Sequence, residues 1–304
     1  DVIQLADVQS DGDLDIVFVD TLGAGQVGYF LNDSFGNFGT SINEANTSDN
    51  DIRDFVAADF NRDGRLDVFG ITANGYEIHT GNDSGSLAAQ LLTSSTGSNR
   101  DFIAVRAADM NGDGTLDLVT QEYISNVFFQ IGVLPIFANG STGQFNRDVA
   151  ISTSALTGFE LLDLNNDGSI DRVAAVRADN AQLWHSENLT TGSNPEFDEA
   201  NEQSVDSVLA GNGSEFLTSG DLNGDGVDDI LLGTTTESGL QIFYGTPSQR
   251  HGGTYDTRTV LDTGNRPDRL VIADADNDGD NDIITYDGGE IFIHRNLGDG
   301  IFPS

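Results

Sequence analysis

"DLNGDGVDDI", residues 221–230, sets four acidic side chains and two glycines in ten positions. Glycine gives up more backbone freedom than any other residue in a helix, and like charges one to four residues apart repel, so this run is no helix interior. Residues 221–226 are also too polar for a buried strand. Asp221, Asn223 and Asp225 stand at alternate positions, Gly226 follows, and Asp229 closes the stretch. So many carboxylates in one tight loop need a partner of opposite charge.

One answer is a hard cation. The pattern D-x-N-x-D-G-x-x-D matches the first nine positions of an EF-hand loop. There, side-chain oxygens at positions 1, 3 and 5, a carbonyl at 7 and a ligand at 9 surround calcium, and glycine at 6 makes the turn. Position 12 carries Leu232 in place of the EF-hand glutamate, and the apolar run "DILLGT" after the loop reads as a buried strand. The loop joins two strands, not two helices.

The stretch recurs at "DVQSDGDLD" (7–15), "DFNRDGRLD" (59–67), "DMNGDGTLD" (109–117), "DLNNDGSID" (163–171), "DLNGDGVDD" (221–229) and "DADNDGDND" (274–282). Successive starts lie 50 to 58 residues apart. Each motif sits between short apolar runs, such as "FVAAD" and "LDVFGIT". A third alternating run follows, such as "GYEIHTG" or "EIFIHRN", and then a more polar fourth, such as "YDTRTVL". Four short strands per period of about fifty residues is the pattern of propeller blades. The expectation is an all-β, six-bladed β-propeller with a loop between the first two strands of each blade. It forms a single domain over 1–304, with blades near 1–50, 51–100, 101–155, 156–210, 211–265 and 266–304. The last blade lacks its outer strand, because the sequence stops at "GIFPS".

On these motifs the sequence resembles the FG-GAP/VCBS repeat family, which includes the calcium-bearing blades of the integrin α-subunit propeller. The resemblance spans essentially the whole chain. It implies calcium ligands at Asp7, Gln9, Asp11 and Asp15; at Asp59, Asn61, Asp63 and Asp67; and at Asp109, Asn111, Asp113 and Asp117. In the second half it implies Asp163, Asn165, Asp167 and Asp171; Asp221, Asn223, Asp225 and Asp229; and Asp274, Asp276, Asp278 and Asp282. Position 7 would ligate through its carbonyl, at Asp13, Arg65, Thr115, Ser169, Val227 and Asp280. Two departures stand out: integrin propellers have seven blades where this chain has six motifs, and Gln9 is a longer side chain than the Asp or Asn usual at position 3. The first loop is therefore expected to bind weakest, and the sixth, with the most charge, tightest.

The formal charge is −37, and twenty-two of the fifty acidic residues lie inside the six loops. Six calcium ions would bring the charge to −25. All thirteen basic residues are arginine, which fits a salt-adapted surface or an arginine-biased codon usage. Nucleic acid and anionic membrane are poor partners for such a field. Cysteine is absent, so disulfides and thiol chemistry do not arise. Calcium sites of this kind need millimolar free calcium, and no apolar run reaches the length of a membrane span. The expectation is an extracellular or cell-surface chain, mature or excised. Six N-x-S/T sequons, at Asn32, Asn46, Asn82, Asn139, Asn188 and Asn212, are either glycosylation sites or turns inherited with the repeat.

Several enzyme signals dissolve against the repeat. "GAGQVG" (23–28) matches a dinucleotide-binding pattern, but "VGYFLN" follows in register with "GYEIHTG", so the glycines make a hairpin and not a helix start. His79, His185 and His294 sit late in third strands, in places that Tyr29 and Tyr244 hold in other blades, which reads as packing. His251 stands in a polar loop. Acids outside the loops, such as Glu122, Glu160 and Glu215, lie on different blades. The chain is read as a non-enzyme: a calcium-stiffened platform binding a glycan or protein. The alternatives are a structural subunit of a layer, filament or virion, paired through the open edge of its last blade, and a polysaccharide-acting enzyme. Exposed aromatics would favour glycan, with Tyr76, Tyr123, Trp184, Tyr255 and Tyr286 as candidates.

Overall fold

A computed structural model describes residues 2–9, 11–20, 26–33, 37–40, 42–46, 52–72, 75–82, 87–90, 100–124, 127–135, 156–163, 168–176, 182–188, 203–207, 214–234, 239–246, 254–264, 267, 269–276, 278–287 and 290–303. Among these residues every regular element is a strand, and no helix is long and apolar enough to cross a membrane. The chain divides into two units, Asp1–Thr153 and Ser154–Ser304.

The first unit holds three antiparallel sheets, each in chain order. The first contains β1 (Val2–Ala6), β2 (Asp15–Asp20), β3 (Gln26–Phe30) and β4 (Ile42–Asn46). The second contains β5 (Ile52–Ala58), β6 (Asp67–Thr72), β7 (Tyr76–Gly81) and β8 (Leu87–Gln90). The third contains β9 (Arg100–Ala108), β10 (Asp117–Ile124) and β11 (Val127–Pro135). "GAGQVG" thus leads into β3, a strand paired antiparallel with β2, and the dinucleotide reading fails for lack of a helix.

Strand alternation gives the second sheet two apolar faces, and a neighbouring sheet stacks on each. Val17, Val19, Val27 and Tyr29 of the first sheet pack on Ile52, Phe55, Ala57 and Val68 of the second. The opposite face of the second sheet, with Phe69, Ile71, Tyr76 and Ile78, packs on Phe102, Val105 and Leu118 of the third. Each such side chain, wholly removed from water, contributes about 1.5–3 kcal/mol. Polar ties fix the stacking: the Ala57 N–H donates to Gln4 Oε1 at 2.8 Å. Asp54 accepts from the Val105 N–H at 3.0 Å and from Arg106 at 3.1 Å. Burial holds the Asp54 pKa above the usual carboxylate value despite that guanidinium.

The second unit repeats the plan. Its first sheet holds β12 (Leu156–Leu162), β13 (Asp171–Val176), β14 (Gln182–Ser186) and β15 (Gln203–Ser207). Its second holds β16 (Ser214–Gly220), β17 (Asp229–Thr234), β18 (Leu240–Thr246) and β19 (Thr254–Leu261). Its third holds β20 (Arg269–Ala273), β21 (Asp282–Asp287) and β22 (Glu290–His294). Leu222, Leu231, Leu240, Ile242 and Leu261 meet Ile283, with Leu270, Ile272 and Phe302 packed against them.

The register corrects one sequence expectation. His79 pairs with Val68 and His294 with Ile283, each the residue directly after the loop's closing aspartate. Tyr29 and His185 instead pair with Val17 and Val173, one residue further along. A one-residue step in a strand exchanges faces, so these rings do not occupy a single repeated place. His79 is wholly buried, with Nε2 3.2 Å from Oε2 of buried Glu77. His294 Nε2 lies 3.1 Å from Thr285 Oγ1, and burial holds its pKa below the ordinary value.

Candidate metal centres

Each acidic motif is the connection between the first and second strands of its sheet, and its backbone is organised by its own side chains. At position 6 the six glycines, Gly12, Gly64, Gly114, Gly168, Gly226 and Gly279, all take φ between +80° and +97°, where a Cβ is strained. That turn aims the position-6 N–H at the position-1 carboxylate. In all six loops the bond forms, at 2.6–3.0 Å, to Asp7, Asp59, Asp109, Asp163, Asp221 and Asp274. Asn61, Asn111 and Asn223 at position 3 accept from the position-5 N–H. Position 5 accepts from the N–H of position 7, as in Asp11 from Asp13, Asp63 from Arg65, Asp113 from Thr115, Asp225 from Val227 and Asp278 from Asp280. The Thr115 N–H bond is the main reason that the Asp113 pKa is lowered. Oxygens of positions 1, 3 and 5 are thus curled about one short loop. An ionised carboxylate has about four lone-pair positions, so these bonds leave acceptor capacity for an ion.

Position 9 behaves differently. Asp15, Asp67, Asp171, Asp229 and Asp282 are wholly buried and Asp117 nearly so. Five of them accept the N–H of position 2 in their own loop, from Val8, Phe60, Met110, Leu222 and Ala275. Five accept a second N–H from the chain leaving the third strand, at Asn32, Gly81, Asn188, Gly245 and Asn296. The ninth carboxylate therefore pins the loop to the far strand of its hairpin. Burial pushes Asp67, Asp117 and Asp229 up to about 6.

The residue after the third strand was visible in the sequence only as a turn or a sequon. Asn32, Asn188 and Asn296 each donate from Nδ2 to the position-8 carbonyl of their own loop, Leu14, Ile170 and Asn281. Where Gly81 and Gly245 replace them the chain comes closer: an added Cβ would lie 2.5 Å from the Leu66 carbonyl oxygen or 2.6 Å from that of Asp228. At Asn32 and Asn188 the nitrogen that a glycan would occupy is committed to this bond, and Asn188 is buried. Neighbouring loops are also tied together. Asn281 Nδ2 donates to the Asp221 carbonyl at 2.9 Å, Asn296 Nδ2 to Leu222 O at 2.7 Å, and Arg62 Nη2 to Asp113 O at 3.4 Å.

The donor set fits a hard divalent cation: it is all oxygen, without nitrogen or sulfur. In the sixth loop one oxygen each from Asp274, Asp276 and Asp282 lie within 4.8 Å of one another. Two oxygens on one calcium ion, each 2.3–2.6 Å from it, can be at most about 5 Å apart. In the first loop Gln9 spends its Nε2 on Asp11 Oδ2, and in the second Arg65 pairs with Asp63 at 3.0 Å. Asn165, Asp167, Asn139 and Asn212 lie outside the described residues, as do His251 and the side chains of Asn46, Tyr123, Trp184, His185 and Tyr255. Tyr76, a candidate for glycan stacking, is instead core, stacked on Phe69 at 5.3 Å between ring centres. Tyr286 is exposed.

Among solved structures, a lectin from Agrocybe aegerita, studied for recognition of non-reducing terminal N-acetylglucosamine, is similar over 100% of this chain and 78% of its own, at 19% identity and TM-score 0.66. BBS1N, crystallised with ARL6DN, is similar over 98% of this chain and 79% of its own, at 10% identity and TM-score 0.57. A putative 6-phosphogluconolactonase from Bacteroides uniformis covers 86% of this chain and 78% of its own, at 14% identity and TM-score 0.53. At such identities the likeness concerns the fold, which is β-propeller-like. No curated protein matches the sequence. The sequence profile of the FG-GAP-like repeat matches residues 7–70, 59–120 and 221–285, more than half of the chain, and the chain belongs to that repeat family.

Proposed function

We propose that this chain is a six-bladed, calcium-stiffened β-propeller that works outside the cell as a non-catalytic binding module for a glycan or protein ligand. One observation carries the reading: the same bonds from backbone N–H to carboxylate recur loop after loop, around donors that are all oxygen. A loop that crowds three to five acids repels itself unless a cation offsets it, so the ion is structural. The lectin among the similar folds makes N-acetylglucosamine-terminated glycans the first ligands to try. The test is a calcium titration by calorimetry, with thermal melts in calcium and in chelator at low salt. Dissociation constants of about 10⁻⁴–10⁻³ M are expected, as for extracellular modules. At about 10 mM calcium each occupied loop then adds about 1.4–2.7 kcal/mol. Identical melts in calcium and chelator would sink the calcium reading. Glycan-array binding that chelation leaves intact would detach the ligand surface from the loops.

A second reading, a subunit of a surface or viral assembly, has its own observation. Strand β22 has no fourth strand beside it among the described residues, and Ile291 and Ile293 on it are 70% and 51% exposed. Edges of this kind recruit a pairing strand. Hydrogen exchange of Glu290–Asn296 in the isolated chain and in its native source decides: extra protection in the native state supports assembly, and equal exchange removes that support.

A further inference from the structure

The sixth loop stands apart in two ways that occur together. Its third position is a carboxylate, Asp276, where the others have Gln9, Asn61, Asn111, Asn165 and Asn223. The residue just before Asn296, whose N–H bonds the ninth aspartate, is Arg295. The four other residues that precede the equivalent bond are Leu31, Thr80, Glu187 and Tyr244, none of them a cation. Arg295 Nη1 donates to Asp276 Oδ2. The extra negative charge and the extra positive charge are in contact.

Asp276 is also one of the three residues whose oxygens converge in this loop. A carboxylate oxygen that accepts a guanidinium N–H has less charge to offer a metal, and a divalent ion entering the loop meets the arginine's positive charge at close range. We propose that Arg295 is a resident counter-cation of the sixth loop, which holds Asp276 when calcium is scarce and must yield it when calcium binds, so that this one residue sets the loop's calcium affinity. The inference rests on the calcium reading of the loops. It removes the advantage that the sixth loop has by acid count, and it gives that loop an order of its own without calcium. The Arg295 side chain is 60% exposed, so it can swing into solvent at little cost in packing.

Hydrogen-exchange mass spectrometry of the whole chain across a calcium titration reads each loop separately. Segment 274–282 reports the sixth loop and segment 221–229, whose third position is neutral Asn223, serves as the internal control. Arg295→Gln is expected to lower the calcium midpoint of 274–282 by about tenfold, from the loss of one nearby positive charge and the release of one ligand oxygen. The midpoint of 221–229 stays in place. In an Asp276→Asn background the same Arg295→Gln change is expected to shift the midpoint by about twofold or less, because the contact it relieves is already gone. An unchanged or raised midpoint for 274–282 in Arg295→Gln, with 221–229 still responding to calcium, overturns the role of Arg295 and leaves the calcium reading standing. So does a full tenfold shift that persists in the Asp276→Asn background, since the guanidinium would then act only as diffuse charge. If neither segment responds to calcium in the unsubstituted chain, the calcium reading fails and this inference with it.

Discussion

Two sets of aspartates share each loop, and they do opposite things. Those at position 5 stand exposed at the rim wherever they are described, those at position 1 are half-buried in five loops and exposed in the sixth, and both brace the turn with bonds that water could replace. The one at position 9 is buried and accepts backbone N–H groups of the sheet, one in the loop and one at the end of the third strand, as Asp229 does with Leu222 and Gly245. On the calcium reading proposed above, the rim supplies most of the ion's ligands. The ninth position is part of the sheet whether or not an ion is bound, and its remaining lone pairs can still serve the ion, as the convergence of Asp282 with Asp274 and Asp276 illustrates. One motif thus encodes both a ligand set and the device that keeps it on its hairpin.

The largest effect should come from breaking that device in one loop and sparing the rim. Asp229→Ala leaves the Leu222 and Gly245 N–H groups buried without acceptors, at about 1–3 kcal/mol each, so about 2–6 kcal/mol is expected from denaturant melts in chelator. Asp225→Ala, in the same loop, removes a single, half-buried bond to the Val227 N–H and should cost about 0.5–1.5 kcal/mol under those conditions. With calcium present the rim variant should lose more, because a ligand is gone. Equal costs in chelator would erase the distinction between rim and anchor.

A smaller effect separates the two sets by pH. Asp67, Asp117 and Asp229 are pushed up to about 6 by burial, above the unfolded value near 3.8. Raised carboxylate pKa values mean that the folded state holds more protons than the unfolded state between those limits. The stabilising contribution is therefore complete below about 3.8 and is lost as pH rises through about 6. Calcium-free protein should accordingly melt at higher temperature at pH 5 than at pH 7. Calcium-loaded protein should show the reverse trend, because protons compete with the ion for the same oxygens. The two melting curves draw together on acidification. Parallel curves would mean that the buried anchors do not titrate in this range.

The repeat made the rim legible: six copies of D-x-x-x-D-G-x-x-D at near-constant spacing name positions 1, 5, 6 and 9 without any structure. It could not show what the ninth aspartate faces, because its second partner lies 14 to 17 residues away and that distance varies from sheet to sheet. The same variation misplaced Tyr29, His185 and Tyr244 relative to His79 and His294, since only the bond to the ninth aspartate fixes the register. Asn188 read as a sequon because Asn-Leu-Thr looks the same whether its amide faces water or the Ile170 carbonyl. Arg295 was hidden for a related reason: it meets Asp276 across 19 residues, and a loop's acid count contains no information about a base arriving from the other end of the hairpin.

The smallest expected effect tests whether rims can be ranked by the geometry of one side chain. Gln9 carries one methylene more than the Asn at position 3 of four other loops, and its amide nitrogen, not its oxygen, is turned onto Asp11. The Asp11 oxygen it holds belongs to the rim of that loop, so Gln9 both withholds a ligand and occupies one. Asp13 adds charge at position 7, but the resemblance assigns that position a carbonyl role, so its carboxylate can help only at a distance. Gln9→Asn shortens the side chain to the length used in the second, third and fifth loops, where the position-3 oxygen accepts the N–H of position 5. The calcium midpoint for hydrogen exchange in segment 7–15 should fall by about three- to tenfold, a fraction to a full step of 1.4 kcal/mol, while segment 59–67 stays fixed. If Gln9→Asn leaves 7–15 the weakest responder, the defect of the first loop lies in its backbone and not in residue 9, and position 3 loses its standing as the residue that grades the rims.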